Sequence, residues 1–190
     1  MTSDAIQHLR RDEEMRQLIE EHGYISLEPA DDIYRRLVVS IINQQLSTAS
    51  ADAIRERVFG EFEITPRGML NAEDDTLNEM GLSRQKIDYI NSISREFVEK
   101  EYSRDYFAGM SDDEVIGELT DIHGVGVWTS KMFLIFCLSR RDVFPVEDLG
   151  IRNGMERLYG EMERHEMVEK ARDWKPYRSI ASLYVWRSYD

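Results

Sequence analysis

The chain has 190 residues, 42% of them hydrophobic and 10% aromatic, which is enough to build one compact domain or two small lobes and excludes a wholly disordered chain. The longest apolar run, Met132 to Leu138, is far too short to span a bilayer, and MTSDAIQHLRRDEE at the start holds no apolar signal core, so the expectation is a cytoplasmic protein with no membrane partner. Asp and Glu number 37 against 24 Lys and Arg, a net charge of −13, which speaks against a nucleic-acid binder that relies on a basic surface.

Apolar spacing is of the three-and-four kind almost throughout, and no long stretch alternates with period two. The spacing predicts a first helix over residues 4–21, stopped by Gly23. A second covers 31–44 with Ile33, Leu37, Val38, Ile41 and Ile42 on its apolar face, and Ser47 caps a third to about Phe59. Thr65-Pro66 reads as an N-cap followed by proline in the first helical position. Short turns surround Asp75 to Met80, Gly81 breaks the chain, and Ser83 opens a longer helix to about Glu99. Ser111 with Glu114 forms a capping box for a helix bearing Val115, Ile116, Leu119 and Ile122. After Gly124-Val125-Gly126 a helix apolar nearly all round, and so buried, runs to about Leu138. Two or three more follow, the last ending in Tyr184-Val185-Trp186. The class is all-α, about ten short helices.

Two stretches can carry chemistry. Leu119 to Lys131, LTDIHGVGVWTSK, is helix, glycine turn, helix. Glycine uncovers backbone N–H groups, and at a helix start those form a donor site for phosphate without basic side chains. A plain helix–helix turn has the same spelling. In Arg141 to Arg152, RDVFPVEDLGIR, Pro145 stops the chain before Glu147 and Asp148 at a helix start. Such carboxylates are either simple caps or ionised groups held to stabilise a developing positive charge. Cysteine chemistry is excluded: Cys137 is alone, so there is no internal disulfide, Cys-based zinc site or iron–sulfur cluster. His8, His22, His123 and His165 lack ligand-like spacing. The cations are 5 Lys and 19 Arg, a balance that suits either a salty cytoplasm or ordinary acidic solubility.

Taken in order, IHGVGVWTSKMFLIF and DVFPVEDLGIR resemble the helix-hairpin-helix (HhH-GPD) DNA glycosylases, whose Gly/Pro-rich loop ends in a catalytic Asp. IINQQLSTASADAIRERV (Ile41 to Val58) is similar to that family's first core helix pair, GLSRQKIDYI (Gly81 to Ile90) to its approach to the hairpin, and DWKPYRSIASLYVW (Asp173 to Trp186) to the C-terminal helix of the 3-methyladenine DNA glycosylase II branch. The resemblance covers roughly residues 30–188. It implies a single domain over 1–190 in two lobes, 31–139 with the hairpin at 119–131 and 1–30 plus 140–190 with the catalytic Asp. It also implies neither an iron–sulfur cluster nor an extra N-terminal domain.

By this resemblance Asp148 is the catalytic carboxylate, with Glu147 beside it as the backup and Arg152 one turn on to orient it or touch phosphate. Trp128 stands where bifunctional members hold a nucleophilic lysine, which removes the Schiff-base route and implies a monofunctional enzyme. Trp128, with Tyr177 and Trp174 as weaker candidates and Tyr34 as a further one, offers an aromatic face to a cationic base; the aromatics of Asp173 to Trp186 are equally readable as helix packing. Gln44 and Gln45 line the pocket or pair with the orphan base, or form a solvated helix end. Leu46 is the candidate wedge between base steps, or a core leucine. Gly124, Val125, Gly126, Thr129, Lys131, Arg178 and Lys175 contact DNA, and His123 in the turn carries no assigned role. The implied partner is double-stranded DNA with damaged bases, bound by a monomer associated with the nucleoid. No cofactor is implied beyond a monovalent cation on the hairpin carbonyls. The alternatives are a glycosylase for deaminated or oxidised bases, a non-catalytic hairpin protein that binds DNA or lesions, and an all-α interaction protein with no DNA role.

Overall fold

The computed structural model describes residues 2–189, so Met1 and Asp190, the ends of the expected 1–190 domain, lie outside the described residues. Among the described residues there are thirteen α-helices, one short 3-10 helix and no strand. The chain forms two compact units, Ala30–Phe133 and Met1–Pro29 with Leu134–Asp190. The second crossing falls between Phe133 and Leu134, inside the helix that follows the hairpin.

The discontinuous unit begins with α1 (Thr2–Leu9) and α2 (Glu13–His22). The apolar pattern alone reads these as one helix. Asp12 divides them: it takes an extended backbone, and its side chain accepts the N–H of Met15, so a new helix is capped where neither Gly nor Pro signals a break. The chain returns to this unit through α11 (Leu149–Tyr159), α12 (Arg164–Lys170), the 3-10 helix Ala171–Trp174 and α13 (Arg178–Tyr189). Leu9, Met15, Ile151, Met155, Trp174, Tyr184 and Val185 are buried together. Each such large apolar side chain contributes about 1.5–3 kcal/mol by leaving water. Gly154 lets α11 approach α13, since a Cβ there would lie 2.6 Å from Val185 Cγ1.

The continuous unit holds α3 (Ile33–Asn43), α4 (Thr48–Glu61), α5 (Pro66–Leu70), α6 (Asp74–Glu79), α7 (Arg84–Glu99), α8 (Arg104–Phe107) and α9 (Asp112–Thr120). The expected caps are present: Ser47 accepts from Ser50 N, Thr65 from Gly68 N, Ser83 from Lys86 N, and Ser111 and Glu114 close a full capping box. Leu37, Val38, Ile41 and Ile42 of α3 are buried, as are Ile87, Ile90 and Ile93 of α7. The helix after the hairpin, α10 (Val127–Phe136), buries Met132, Phe133, Leu134 and Ile135, as its all-round apolar character requires.

Candidate active site and nucleic-acid interface

The site residues fall into two sets, one on each unit. On the continuous unit the hairpin is α9, a turn over residues 121–126, and α10 as far as Phe133. Ile122 N–H bonds Leu119 O and Val125 N–H bonds Ile122 O, which winds the turn tightly. Gly124 has φ +92°, and a Cβ there would lie 2.1 Å from Tyr89 Cγ, so both backbone conformation and packing demand glycine. Gly126 differs: it opens α10, its carbonyl accepts Ser130 N–H, and a Cβ would meet nothing within 4 Å. Open space beside the first N–H groups of a helix, which have no intrahelical acceptor, is the geometry an approaching anion needs. Val125 is buried and anchors the turn from below. His123 packs edge-on against Tyr89 and sits 3.1 Å from Asp88, an exposed pair with no part in the turn's hydrogen bonding.

Upstream, α3 gives way to α4 through Gln44, Gln45 and Leu46. Gln45 takes φ +57°, rare for a side chain with a Cβ. Leu46 is 38% exposed, which removes the core-leucine reading. Gln44 is half-buried and donates to Thr129 Oγ1 at 3.3 Å; Gln45 is exposed. Lys86, at the start of α7, donates to Ile42 O at 2.6 Å and Gln44 O at 2.8 Å, and burial lowers its pKa. Trp128 is half-buried in the first turn of α10.

On the other unit Asp148 is the N-cap of α11. Its Oδ1 accepts Ile151 N–H at 2.9 Å and the Trp186 indole N–H at 2.8 Å. The Trp186 ring stacks on Phe136 at 5.8 Å. Gly150 makes room for this arrangement, since a Cβ there would lie 3.1 Å from both Asp148 Oδ1 and Trp186 Cδ1. The loop leading to Asp148 is pinned from α13: Ser179 Oγ donates to Arg140 O at 2.6 Å and accepts Val143 N–H at 3.0 Å. Arg178 clasps Asp142 with Nε and Nη2 at 2.7 and 2.9 Å, a bidentate pair. A half-buried carboxylate, aimed by donors from two helices on a braced loop, can stabilise a cation formed next to it.

The model of the HhH-GPD superfamily, base excision DNA repair proteins, matches residues 38–177. The chain belongs to that family. A fission-yeast (Schizosaccharomyces pombe) relative named DNA-3-methyladenine glycosylase 1 is 32% identical over 164 residues, covering 82% of this chain and 72% of its own. YfjP of Bacillus subtilis is 30% identical over 185 residues; the match takes in 91% of this chain but only 64% of YfjP. Among solved structures, the S. pombe 3-methyladenine DNA glycosylase Mag1 in complex with abasic DNA superposes with a TM-score of 0.87 at 29% identity, over 97% of this chain and 95% of that one.

Several expectations for this HhH-GPD chain need correction. Trp174 is 1% exposed and gives its indole N–H to Asp12, so it is a core residue and not a pocket wall. Tyr34 is likewise buried, its hydroxyl 2.6 Å from Ser94 Oγ. Thr129 is 1% exposed, so its hydroxyl serves Gln44 and is not offered to DNA. Arg178 spends its guanidinium on the Asp142 loop, which makes it a brace. Arg152 does not reach the Asp148 side chain; its Nη1 donates to Val146 O and Glu147 O and ties down the same loop. Tyr177 is half-buried between His8 and the Arg141 guanidinium, 5.1 Å from its ring. Trp186 and Lys86 are the members the sequence reading missed. The only sequence signal for Trp186 is its place at the end of SIASLYVW, 38 residues from Asp148.

Proposed function

We propose that this protein is a monofunctional DNA glycosylase that hydrolyses the N-glycosidic bond of alkylated purines, of the 3-methyladenine and 7-methylguanine type, in double-stranded DNA. The observation that carries the reading is the aimed carboxylate: Asp148 Oδ1 held by Ile151 and Trp186 at the start of α11, in a chain whose relative is named a DNA-3-methyladenine glycosylase.

The chemistry follows from the residues. A base inside a duplex is unreachable, so the nucleotide is extruded, at a cost of a few kcal/mol that is smaller for a damaged base. Leu46 fills the gap as an apolar wedge. The hairpin N–H groups of Gly126 and Val127, with Lys131 and Lys175, take phosphate. A monovalent cation on the hairpin would sit on turn carbonyls such as that of Ile122. The Ile122 carbonyl accepts the Val125 N–H and keeps a second lone pair, and the ion would add positive charge beside that phosphate. The flipped base carries a positive charge through its alkylated N3 or N7, and the Trp128 face attracts it by about 0.5–2 kcal/mol.

The C1′–N bond then breaks with its electron pair going to the purine, which neutralises the base and leaves an oxocarbenium-like sugar. Asp148 stabilises that cation, and water bonds to C1′ while its proton passes to the carboxylate. The products are the free base and an abasic site. Residue 128 is tryptophan, so no amine forms a Schiff base there and the strand stays intact.

The test is base release from methylated duplex DNA, with 3-methyladenine and 7-methylguanine followed separately and strand breaks scored before and after alkali. Release with breaks only after alkali supports the reading. Release confined to deaminated or oxidised bases, or lesion binding without release, replaces it.

A further inference from the structure

Between α3 and α4 the chain makes a turn that its own sequence does not favour. Gln45 sits at φ +57°, a region that residues with a Cβ seldom occupy unless their surroundings hold them there. The next residue, Leu46, leaves an aliphatic side chain 38% exposed. Local bonding is thin: Leu46 N–H reaches Asn43 O at 3.3 Å, and Ser47 turns its hydroxyl to capping α4.

What holds the turn comes from elsewhere in the same unit. The Lys86 ammonium, half-buried, bonds the carbonyls on either side of Asn43, Ile42 O at 2.6 Å and Gln44 O at 2.8 Å. Ile42 O belongs to the last turn of α3 and Gln44 O to its C-cap, where the helix dipole favours a cation and the charge-assisted bonds are strong. The Lys86 backbone is fixed in turn by the Ser83 cap. From the other side Gln44 Nε2 bonds Thr129 Oγ1, in the first turn of α10 beside Trp128. The Gln44 main chain thus has one tether to α7 and its side chain another to α10.

We propose that Lys86 is a positioning residue for the wedge: by clamping the end of α3 it holds Gln45 in its left-handed conformation and so presents Leu46 outward for insertion when a base pair is opened. This rests on the glycosylase reading above. Lys86 acts through Leu46 and contributes to opening a pair, not to breaking the C1′–N bond. Its loss is therefore felt where a stable pair must be opened and much less where the lesion is already unpaired.

The experiment measures single-turnover release of 7-methylguanine from two duplexes, one with the lesion opposite cytosine and one with it in a mismatch. Wild type, Lys86→Met, Lys86→Arg, Leu46→Ala and the Lys86→Met/Leu46→Ala double variant are compared. Lys86→Met is expected to lose about tenfold on the paired lesion, the scale of one charged hydrogen bond, and under about threefold on the mismatch. Lys86→Arg, which keeps a cation and its donors, recovers most of the rate. The double variant is no slower than Leu46→Ala alone, because the clamp has nothing left to present. Equal losses on the two duplexes, additive losses in the double variant, or no loss in Lys86→Met would overturn the assignment while leaving the glycosylase reading standing. Wild type that releases neither 7-methylguanine from these duplexes nor 3-methyladenine from methylated duplex removes both.

Discussion

Trp186 donates its indole N–H to Asp148 Oδ1 at 2.8 Å, and the same oxygen accepts Ile151 N–H at 2.9 Å. A helix cap alone needs only the second bond. The first ties the carboxylate to α13 and sets its direction, which distinguishes an aimed group from a cap. Trp186→Phe keeps an aromatic ring against Phe136 and removes the donor. A hydrogen bond to a charged group is worth about 1.5–3 kcal/mol, so the single-turnover excision rate should fall about tenfold or more while affinity for abasic DNA changes little. An unchanged rate would make the contact a packing detail.

The two hairpin glycines should fail in different ways. Gly124→Ala forces a Cβ into the Tyr89 ring from a backbone at φ +92°, and a loss of roughly 2–4 kcal/mol in folding stability is expected. Gly126→Ala meets no protein atom within 4 Å and should melt within a few degrees of wild type. Its methyl group would stand where phosphate approaches, so duplex affinity should drop instead. Thermal melting and a duplex-binding titration of both variants separate the cases.

Asp12 should contribute to the acid sensitivity of the discontinuous unit. Burial pushes its pKa up, but the Lys170 ammonium, Met15 N–H, Tyr159 hydroxyl and Trp174 indole outweigh that and hold it below the usual carboxylate range. The charged form is thus favoured by folding. Its stabilisation is complete above the ordinary carboxylate pKa of about 3.9 and is lost as pH falls through the lower folded value. Melting temperature should drop steeply below about pH 4 in wild type and less steeply in Asp12→Asn. At neutral pH Asp12→Ala, which strands Lys170, the half-buried Tyr159 hydroxyl and the buried Trp174 indole, should cost about 3 kcal/mol.

Arg178 and Arg152 are committed to the loop before Asp148. Lys131, Lys175 and the hairpin N–H groups imply about three neutralised phosphates, so the logarithm of duplex affinity should fall with the logarithm of KCl at a slope near −3. A slope beyond about −6 would require a basic surface that the count of −13 does not suggest.

Local chemistry was legible in the sequence. Capping residues such as Ser83, Thr65-Pro66 and Ser111 with Glu114 act within one helical turn, so their spelling suffices. The hairpin glycines and the carboxylate at a helix start are local in the same sense. What the sequence reading lacked is tertiary. Asp12 breaks the first helix without Gly or Pro because its cap is reinforced by Tyr159, Trp174 and Lys170, about 150 residues away. Trp174 reads as a pocket aromatic until its indole is seen bound to that same carboxylate. Arg178 reads as a phosphate ligand until Asp142 is seen in its fork. Nothing near Asp148 in the chain points to Trp186, and nothing near Leu46 points to Lys86.

Asp148→Asn tests the role of the carboxylate most directly. Asparagine caps a helix about as well as aspartate, so the variant should fold and melt like wild type and still bind duplex DNA containing an abasic site. Without the negative charge beside the sugar, 3-methyladenine release from methylated duplex should fall by at least about a hundredfold. Release at the wild-type rate by a folded Asp148→Asn protein would show that the Asp148 charge has no part in breaking the bond.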